Sequence, residues 1–185
     1  MINKDNMLEN LFCEFISLVE EGDIDIYNEF SFQHELGIFI RNKFKDYKVQ
    51  FERNINFFGI VGTIKKEIDI VIYNDYEKYA IELKYPRNGQ YPEQMFCFIN
   101  DICFMEQLKS QGFKNTYCIT VVNDKNFLCG DKKDGIYSYF RNNKIINGYI
   151  KKPTGKKDKI INIKNHYKIK WKNIDKKYKY YFLEI

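Results

Sequence analysis

With 185 residues, 44% of them hydrophobic and 17% aromatic, the chain carries enough apolar side chain for one well-buried core and too much for a disordered polypeptide. The 30 Lys and Arg against 25 Asp and Glu give a net charge of +5, and no window approaches the ~20 uninterrupted apolar residues of a membrane span, so no membrane partner is expected. Met1-Ile2-Asn3-Lys4-Asp5-Asn6 lacks the charged-then-apolar order of a signal peptide, which makes the cytoplasm the expected location. Cys13, Cys97, Cys103, Cys118 and Cys129 are odd in number and never spaced as a zinc knuckle, and read as reduced core filler.

In chain order, Leu8, Leu11, Phe12, Phe15, Leu18 and Val19 recur at helical spacing up to Gly22, predicting an amphipathic helix over residues 6–21. A second helix starts near Ser31, a residue type suited to capping, and buries Phe32, Leu36, Phe39, Ile40 and Phe44. Val49, Phe51, Arg53 and Ile55 then alternate with polar residues as a strand, and Gly59 and Gly62 bracket a turn. Residues 66–73 and 78–85 alternate in the same way around Asn74-Asp75-Tyr76-Glu77, predicting a hairpin. After a turn at Pro86-Arg87-Asn88-Gly89, Met95, Ile99, Ile102, Met105 and Leu108 mark a long helix closing near Gly112.

Residues 116–122 form a short continuous apolar run, as expected of a strand buried on both faces. A short helix over 134–142 and lysine-rich strands complete the chain. Helix, three strands, helix and strand in this order predict a single α/β domain with a central mixed sheet flanked by helices. Its core covers about residues 31–122, and a basic, strand-rich extension covers 141–185.

That extension holds 14 Lys and Arg against 3 Asp and Glu, a balance of +11, leaving residues 1–140 at −6. A basic segment suits a polyanion, because lysine contacts to phosphate release condensed counterions without reading bases. Lys151, Lys152, Lys156 and Lys157 are the candidate phosphate contacts. With four arginines in the whole chain, base specificity is not legible.

The hairpin turns spacing into geometry. Its paired positions sum to 151, so Asp69 lies opposite Glu82 with Cβ atoms roughly 4.5 to 5.5 Å apart. Two carboxylates that close repel unless a cation or proton intervenes. Mg²⁺ binds through one or two carboxylates and leaves its other positions to water and substrate phosphate. Lys84 shares their face and offers an ammonium to a phosphate oxygen or to the attacking water. The bland alternative is a cross-strand salt bridge from Glu67 to Lys84 on a solvated face, with Ile68, Ile70, Ile72, Ile81 and Leu83 opposite. Glu35, three residues after Phe32 and four before Phe39, sits at the edge of a buried helical stripe, where the ion or its water shell is one partner and solvent another. His34 diverges from it by about 100° and reads as a surface or second-layer residue.

Glu35 on a helix, Asp69 at the end of Lys65-Lys66-Glu67-Ile68-Asp69, and Ile81-Glu82-Leu83-Lys84 followed by a helix and a strand resemble the PD-(D/E)XK nuclease superfamily over about half of the chain. The resemblance implies a restriction-endonuclease-like fold and an endonuclease that hydrolyses phosphodiester bonds, with DNA as the expected substrate. It implies Mg²⁺, with Mn²⁺ as a substitute, on Asp69, Glu82 and Glu35, and water assistance by Lys84. Ile68 stands where relatives often carry proline. Gln94, opening the long helix, resembles a glutamine that some members place near the site. A homodimer is a family expectation for cutting both strands. The other readings are a non-catalytic module of this fold that binds nucleic acid or protein, and a ribonuclease whose aromatic residues stack single-stranded bases.

Overall fold

A computed structural model describes residues 7–87, 89–155, 158–175 and 177–185. The first helix, α1 (Met7–Glu21), turns Leu8, Leu11, Phe12, Phe15 and Ile16 inward; Asn6, where the helix was expected to begin, lies outside the described residues. The second, α2 (Glu29–Lys43), begins earlier than Ser31. Its cap is Asn28, whose side chain accepts from Ser31 N–H at 2.7 Å, while Ser31 Oγ accepts from Asn28 N–H at 3.1 Å. Ser31 is thus the reciprocal member of a capping box rather than the cap, and the helix gains a first turn that holds Glu29. Phe32, Leu36 and Ile40 are buried as expected, whereas Phe39 and Phe44 are only partly so.

Strand β1 (Lys48–Asn54) ends in a 3₁₀ turn over Ile55–Phe58, and Gly59 and Gly62 adopt the positive φ that closes the connection. The hairpin follows as β2 (Glu67–Tyr73) and β3 (Lys78–Lys84), then α3 (Tyr91–Ser110) and β4 (Asn115–Val122). Beyond them come α4 (Tyr137–Arg141), β5 (Ile146–Lys151), β6 (Ile160–Tyr167), β7 (Lys172–Asn173) and β8 (Lys179–Glu184). Asn88, Lys156 and Lys157 lie outside the described residues.

Six strands form a mixed sheet in the order β1-β2-β3-β4-β8-β7. Only β3 and β4 run parallel, because α3 carries the chain from one to the other as a crossover. The basic C-terminal stretch divides into two parts with different tasks. Strand β8 pairs antiparallel with β4 from Tyr117↔Glu184 to Val122↔Lys179 and completes the central sheet, so the core reaches beyond residue 122. The β5–β6 hairpin is a separate two-stranded sheet that buries Ile146, Ile150, Ile161 and Ile163 in the α3 side of the core.

Two cores sandwich the sheet. On one face α1 and α2 pack Phe12, Phe15, Phe32, Leu36 and Ile40 onto Ile70, Ile72, Ile81 and Leu83. On the other, Met95, Ile99, Ile102 and Met105 of α3 pack onto Val71, Ala80, Cys118 and Val122. Ile68, expected beside Ile70, belongs to the α3 side, so β2 departs from strict alternation near Asp69. All five thiols are free. Cys103 and Cys118 are buried fillers, but Cys13 and Cys129 are exposed, on the polar side of α1 and in the loop after β4. No described helix is long and apolar enough to cross a membrane.

At the hairpin's closed end, Glu77 accepts from Tyr47 and ion-pairs with Lys114 at 2.5 Å. The Lys114 contact, then the Tyr47 hydroxyl, hold its carboxyl down at about 2. A folded-state value below the ordinary carboxylate range contributes stability that is full above that range and disappears as pH falls through it towards 2. Because the pair is exposed to water, Lys114→Met should cost only about 0.5 kcal/mol at pH 7. Urea denaturation at pH 7 and again near pH 2 should show that difference vanish in acid.

Candidate active site

The hairpin register is the expected one: Tyr73↔Lys78, Ile72↔Tyr79, Val71↔Ala80 and Ile70↔Ile81 are paired. The ladder stops there. One residue further, Asp69 uses its side chain in place of its backbone, Oδ2 accepting from Leu83 N–H at 2.7 Å. Its carbonyl accepts from Gln33 Nε2 of α2 at 2.6 Å, and the same amide donates to Glu52 Oε1 at 2.7 Å. Glu52, across from Asp69 on β1, has a φ of 46°, a conformation unusual for a non-glycine residue. The end of β2 is therefore fixed by side chains from both neighbours, and this turns the Asp69 carboxylate towards β3.

Glu82 points to the α3 side of the sheet, and its side chain has 0% exposure. There it meets two residues that the sequence pattern left unassigned. Lys65, in the loop before β2, contacts Glu82 Oε2 and lies 3.0 Å from Asp101 Oδ1 of α3. Lys84 stands at the end of β3 between both helices, 3.0 Å from Glu29 Oε1 and 3.8 Å from Asp101 Oδ2, and donates to Leu83 O at 2.8 Å. Glu29 also accepts from Tyr85 N–H at 3.1 Å, fastening α2 to the strand end. The alternative Glu67–Lys84 bridge does not form among the described residues: Glu67 is exposed and pairs across the backbone with Asn54.

Four carboxylates thus surround two ammonium groups. Burial, partly offset by Lys84 and Lys65, pushes the Asp69 carboxyl up to about 6. Burial pushes Glu82 well above the usual carboxylate range, with Asp69 and Asp101 adding to the shift. Burial alone would lower both lysines, but Glu82, Asp101 and Asp69 around Lys65, and Asp101, Asp69 and Glu29 around Lys84, reverse this and keep both amines protonated. Two buried oxygens, Glu82 Oε1 and Asp101 Oδ2, have no hydrogen-bond partner.

Those bare oxygens bear on whether Mg²⁺ fits. Among the described residues no three Asp, Glu, His or Cys side chains already converge as a metal cage. A magnesium site does not need one, since one or two carboxylates with water suffice, and the donors here are hard oxygens in the required number. Buried acceptors without donors are rare in folded proteins and are what a bound cation would satisfy. The chemistry of the site fits the ion.

The remaining expectations divide. Asp69, Glu82 and Lys84 come together. Glu35 has no hydrogen bond or ion pair to the cluster among the described residues; α2 faces the site through Glu29 and Gln33, four residues apart, and Glu35 is rotated about 200° from Gln33. Gln94 lies on the face of α3 that carries Cys97 and Asp101, two turns before the latter. His34 is exposed and stacks between Phe30 and Phe51, at ring distances of 6.2 and 6.1 Å. Lys151 is exposed on β5, whereas Lys152 is engaged by Glu93 at 2.6 Å. Asp101 had one signal in the sequence, a charge inside an otherwise apolar helical stripe; Lys65, on an irregular loop, had none.

Because Asp69 supplies the acceptor for Leu83 N–H, Asp69→Ala should destabilise the fold by about 1–3 kcal/mol through the orphaned donor. Asp69→Asn, which keeps an acceptor and removes a crowded charge, should stay within about 1 kcal/mol of the parent. Chemical denaturation of the two variants side by side distinguishes them. Compared with family models, with curated proteins and with solved structures, the chain finds no match.

Proposed function

We propose that this protein is a Mg²⁺-dependent nuclease of restriction-endonuclease-like fold that hydrolyses phosphodiester bonds, with DNA as substrate. The observation that carries this reading is the meeting of Asp69, Glu82 and Lys84 at the splayed end of one hairpin, with buried carboxylate oxygens left without donors. A sheet that needed only stability would place apolar residues at such positions, since replacing buried ion pairs by well-packed hydrophobic groups is commonly neutral or stabilising.

In this reading Asp69 and Glu82 hold the ion, Asp69 being fixed by its bond to Leu83 N–H and Glu82 by complete enclosure in the sheet. When bound, Mg²⁺ supplies charge stabilisation at the phosphoryl group and lowers the pKa of a water. Lys84 stays protonated, so it acts as a donor: it holds a non-bridging phosphate oxygen and orients the attacking water rather than taking its proton. Glu29 tethers that ammonium at 3.0 Å and fixes where the phosphate is met. Water loses a proton to solvent as its oxygen bonds to phosphorus in line with the leaving ester oxygen, the P–O bond opposite breaks, and the released alkoxide takes a proton from solvent. Exposed lysines of the β5–β6 hairpin, Lys151 among them, supply sequence-independent backbone contacts.

One observation favours the second reading, a non-catalytic nuclease-fold module that binds nucleic acid or protein. Lys65 already gives Glu82 and Asp101 a shared cation, which an inactive descendant of such a site would need.

Incubation with plasmid, linear and single-stranded DNA and with RNA, each with Mg²⁺ or EDTA, tests both. Cleavage should require the ion, and Asp69→Asn, Glu82→Gln or Lys84→Met should each slow it by on the order of 100-fold or more while circular dichroism stays that of the parent. Cleavage of RNA alone would move the substrate to ribonucleic acid. Cleavage at the parental rate by any of the three variants would end the assignment of that residue.

A further inference from the structure

We propose that Asp101 is a third carboxylate of the ion site and that Lys65 is a tethered cation that occupies the ion's place until a divalent ion displaces it. This rests on the metal-site reading above and goes beyond it in naming two residues and an exchange.

The two acids that Lys65 bridges each have a second oxygen without a hydrogen bond, that of Asp101 having only Lys84 at 3.8 Å. Its ammonium contacts Glu82 Oε2 and Asp101 Oδ1, while Glu82 Oε1 and Asp101 Oδ2 are buried without a hydrogen bond. Glu82 and Asp101 are 1% and 4% exposed, so water does not complete them as it would on a surface. A bridge evolved only to fasten the loop would saturate its acceptors, because a buried oxygen without a donor loses its hydration uncompensated. One ammonium has a single charge and three donors; a divalent cation draws six oxygens. The half of each carboxylate that Lys65 does not use is what the larger demand requires. With all groups ionised, Glu29, Asp69, Glu82 and Asp101 outweigh Lys65 and Lys84 by two charges, and exchanging the Lys65 ammonium for a divalent ion halves that excess.

The loop is built to let the amine leave while its backbone stays. Thr63 Oγ1 donates to Lys65 O at 2.5 Å, Ile64 N–H donates to Gln107 Oε1 of α3 at 2.9 Å, and Ile55 N–H donates to Lys66 O at 2.9 Å. The backbone is thus pinned on both sides of Lys65. Its ammonium lies 5.5 Å from the buried Phe104 ring, and its side chain is 27% exposed, so the stem already reaches solvent. Asp101 projects from α3 next to buried Ile102 and shares the Lys65 ammonium with Glu82.

Two measurements on the full chain test the exchange, with Mn²⁺ and Mg²⁺ themselves as the probes. In titration calorimetry, Lys65→Met should bind Mn²⁺ roughly tenfold more tightly than the parent and Asp101→Asn roughly tenfold more weakly. In the unaltered protein, reductive methylation followed by mass spectrometry should find Lys65 modified several-fold faster when Mn²⁺ saturates the site, relative to Lys114 as an internal reference. A folded Lys65→Met protein with unchanged or weaker Mn²⁺ affinity, or a Lys65 methylation rate indifferent to saturating ion, would show a structural bridge and overturn the exchange while the ion site stands. Absence of ion-dependent heat in both the parent and Lys65→Met would remove the ion site and the exchange together. Should Lys65→Met not fold, the methylation arm decides.

Discussion

A carboxylate with no access to water sits in the middle of the sheet, and much of the structure around it is arranged to make that tolerable. Glu82 occupies β3 next to β4, where Cys118 is its backbone neighbour and Ala80 precedes it on the same face. An ionised group there is costly unless it is paired and hydrogen-bonded. Lys65 is brought over it by the loop before β2, and that loop is held by α3. Asp101 steadies the Lys65 ammonium from above, and Lys84 balances Asp101 from the strand end. Each compensation introduces another charge that needs its own partner, so the network ends only at Glu29, where the chain meets solvent.

This dependence explains why the topology and the site cannot be separated. A crossover helix is required between parallel strands, and α3 is the element that both connects β3 to β4 and delivers Asp101. On the other face, α2 delivers Glu29 to Lys84 and Gln33 to the Asp69 carbonyl, one helical turn apart. The site is therefore a seam between two helices that touch opposite faces of the sheet, at the point where β2 and β3 part. Splaying at that point follows from the side chains: Asp69 satisfies Leu83 N–H itself, and Glu52 opposite adopts a positive φ. The pairing of β2 with β3 ends where the acids begin.

Much of this geometry was legible in the sequence, and the parts that were not share a cause. Alternation fixed the hairpin, and a hairpin with a four-residue connection admits one register, so the adjacency of Asp69, Glu82 and Lys84 could be read before any coordinates. Helix starts are weaker signals. Asn28 and Ser31 are both residue types suited to capping; with the cap at Asn28 the first turn of α2 brings Glu29 to Lys84, a contact that the Phe32–Phe39 spacing around Glu35 does not reveal. Lys65 lies in a stretch without periodicity, where nothing local tells a lysine on solvent from one reaching over a buried acid. Asp101 was visible as an interruption of an apolar stripe, but a stripe reports burial, not the partner across it. Lysine density suggested a surface extension, yet β8 carries Tyr180 and Tyr181 into the core and belongs to the sheet; aromatic content was the better guide there than charge.

The uneven satisfaction of the cluster is the feature that a purely structural account handles worst. A protein interior that retains ions usually completes them, because a half-satisfied polar network is less stable than an apolar one of the same volume. Here Lys65 and Lys84 each make two hydrogen bonds, while one oxygen on Glu82 has none and one on Asp101 has only the longer Lys84 contact at 3.8 Å. Within the cluster the unsatisfied atoms are both carboxylate oxygens. Additional protein donors would have satisfied them, and Gln33, two helical residues from Glu35 and already near Asp69, shows that neutral amides are within reach of this fold. In the proposed function an ion would take up these oxygens first, and a phosphate would then meet the protonated Lys84 at the strand end.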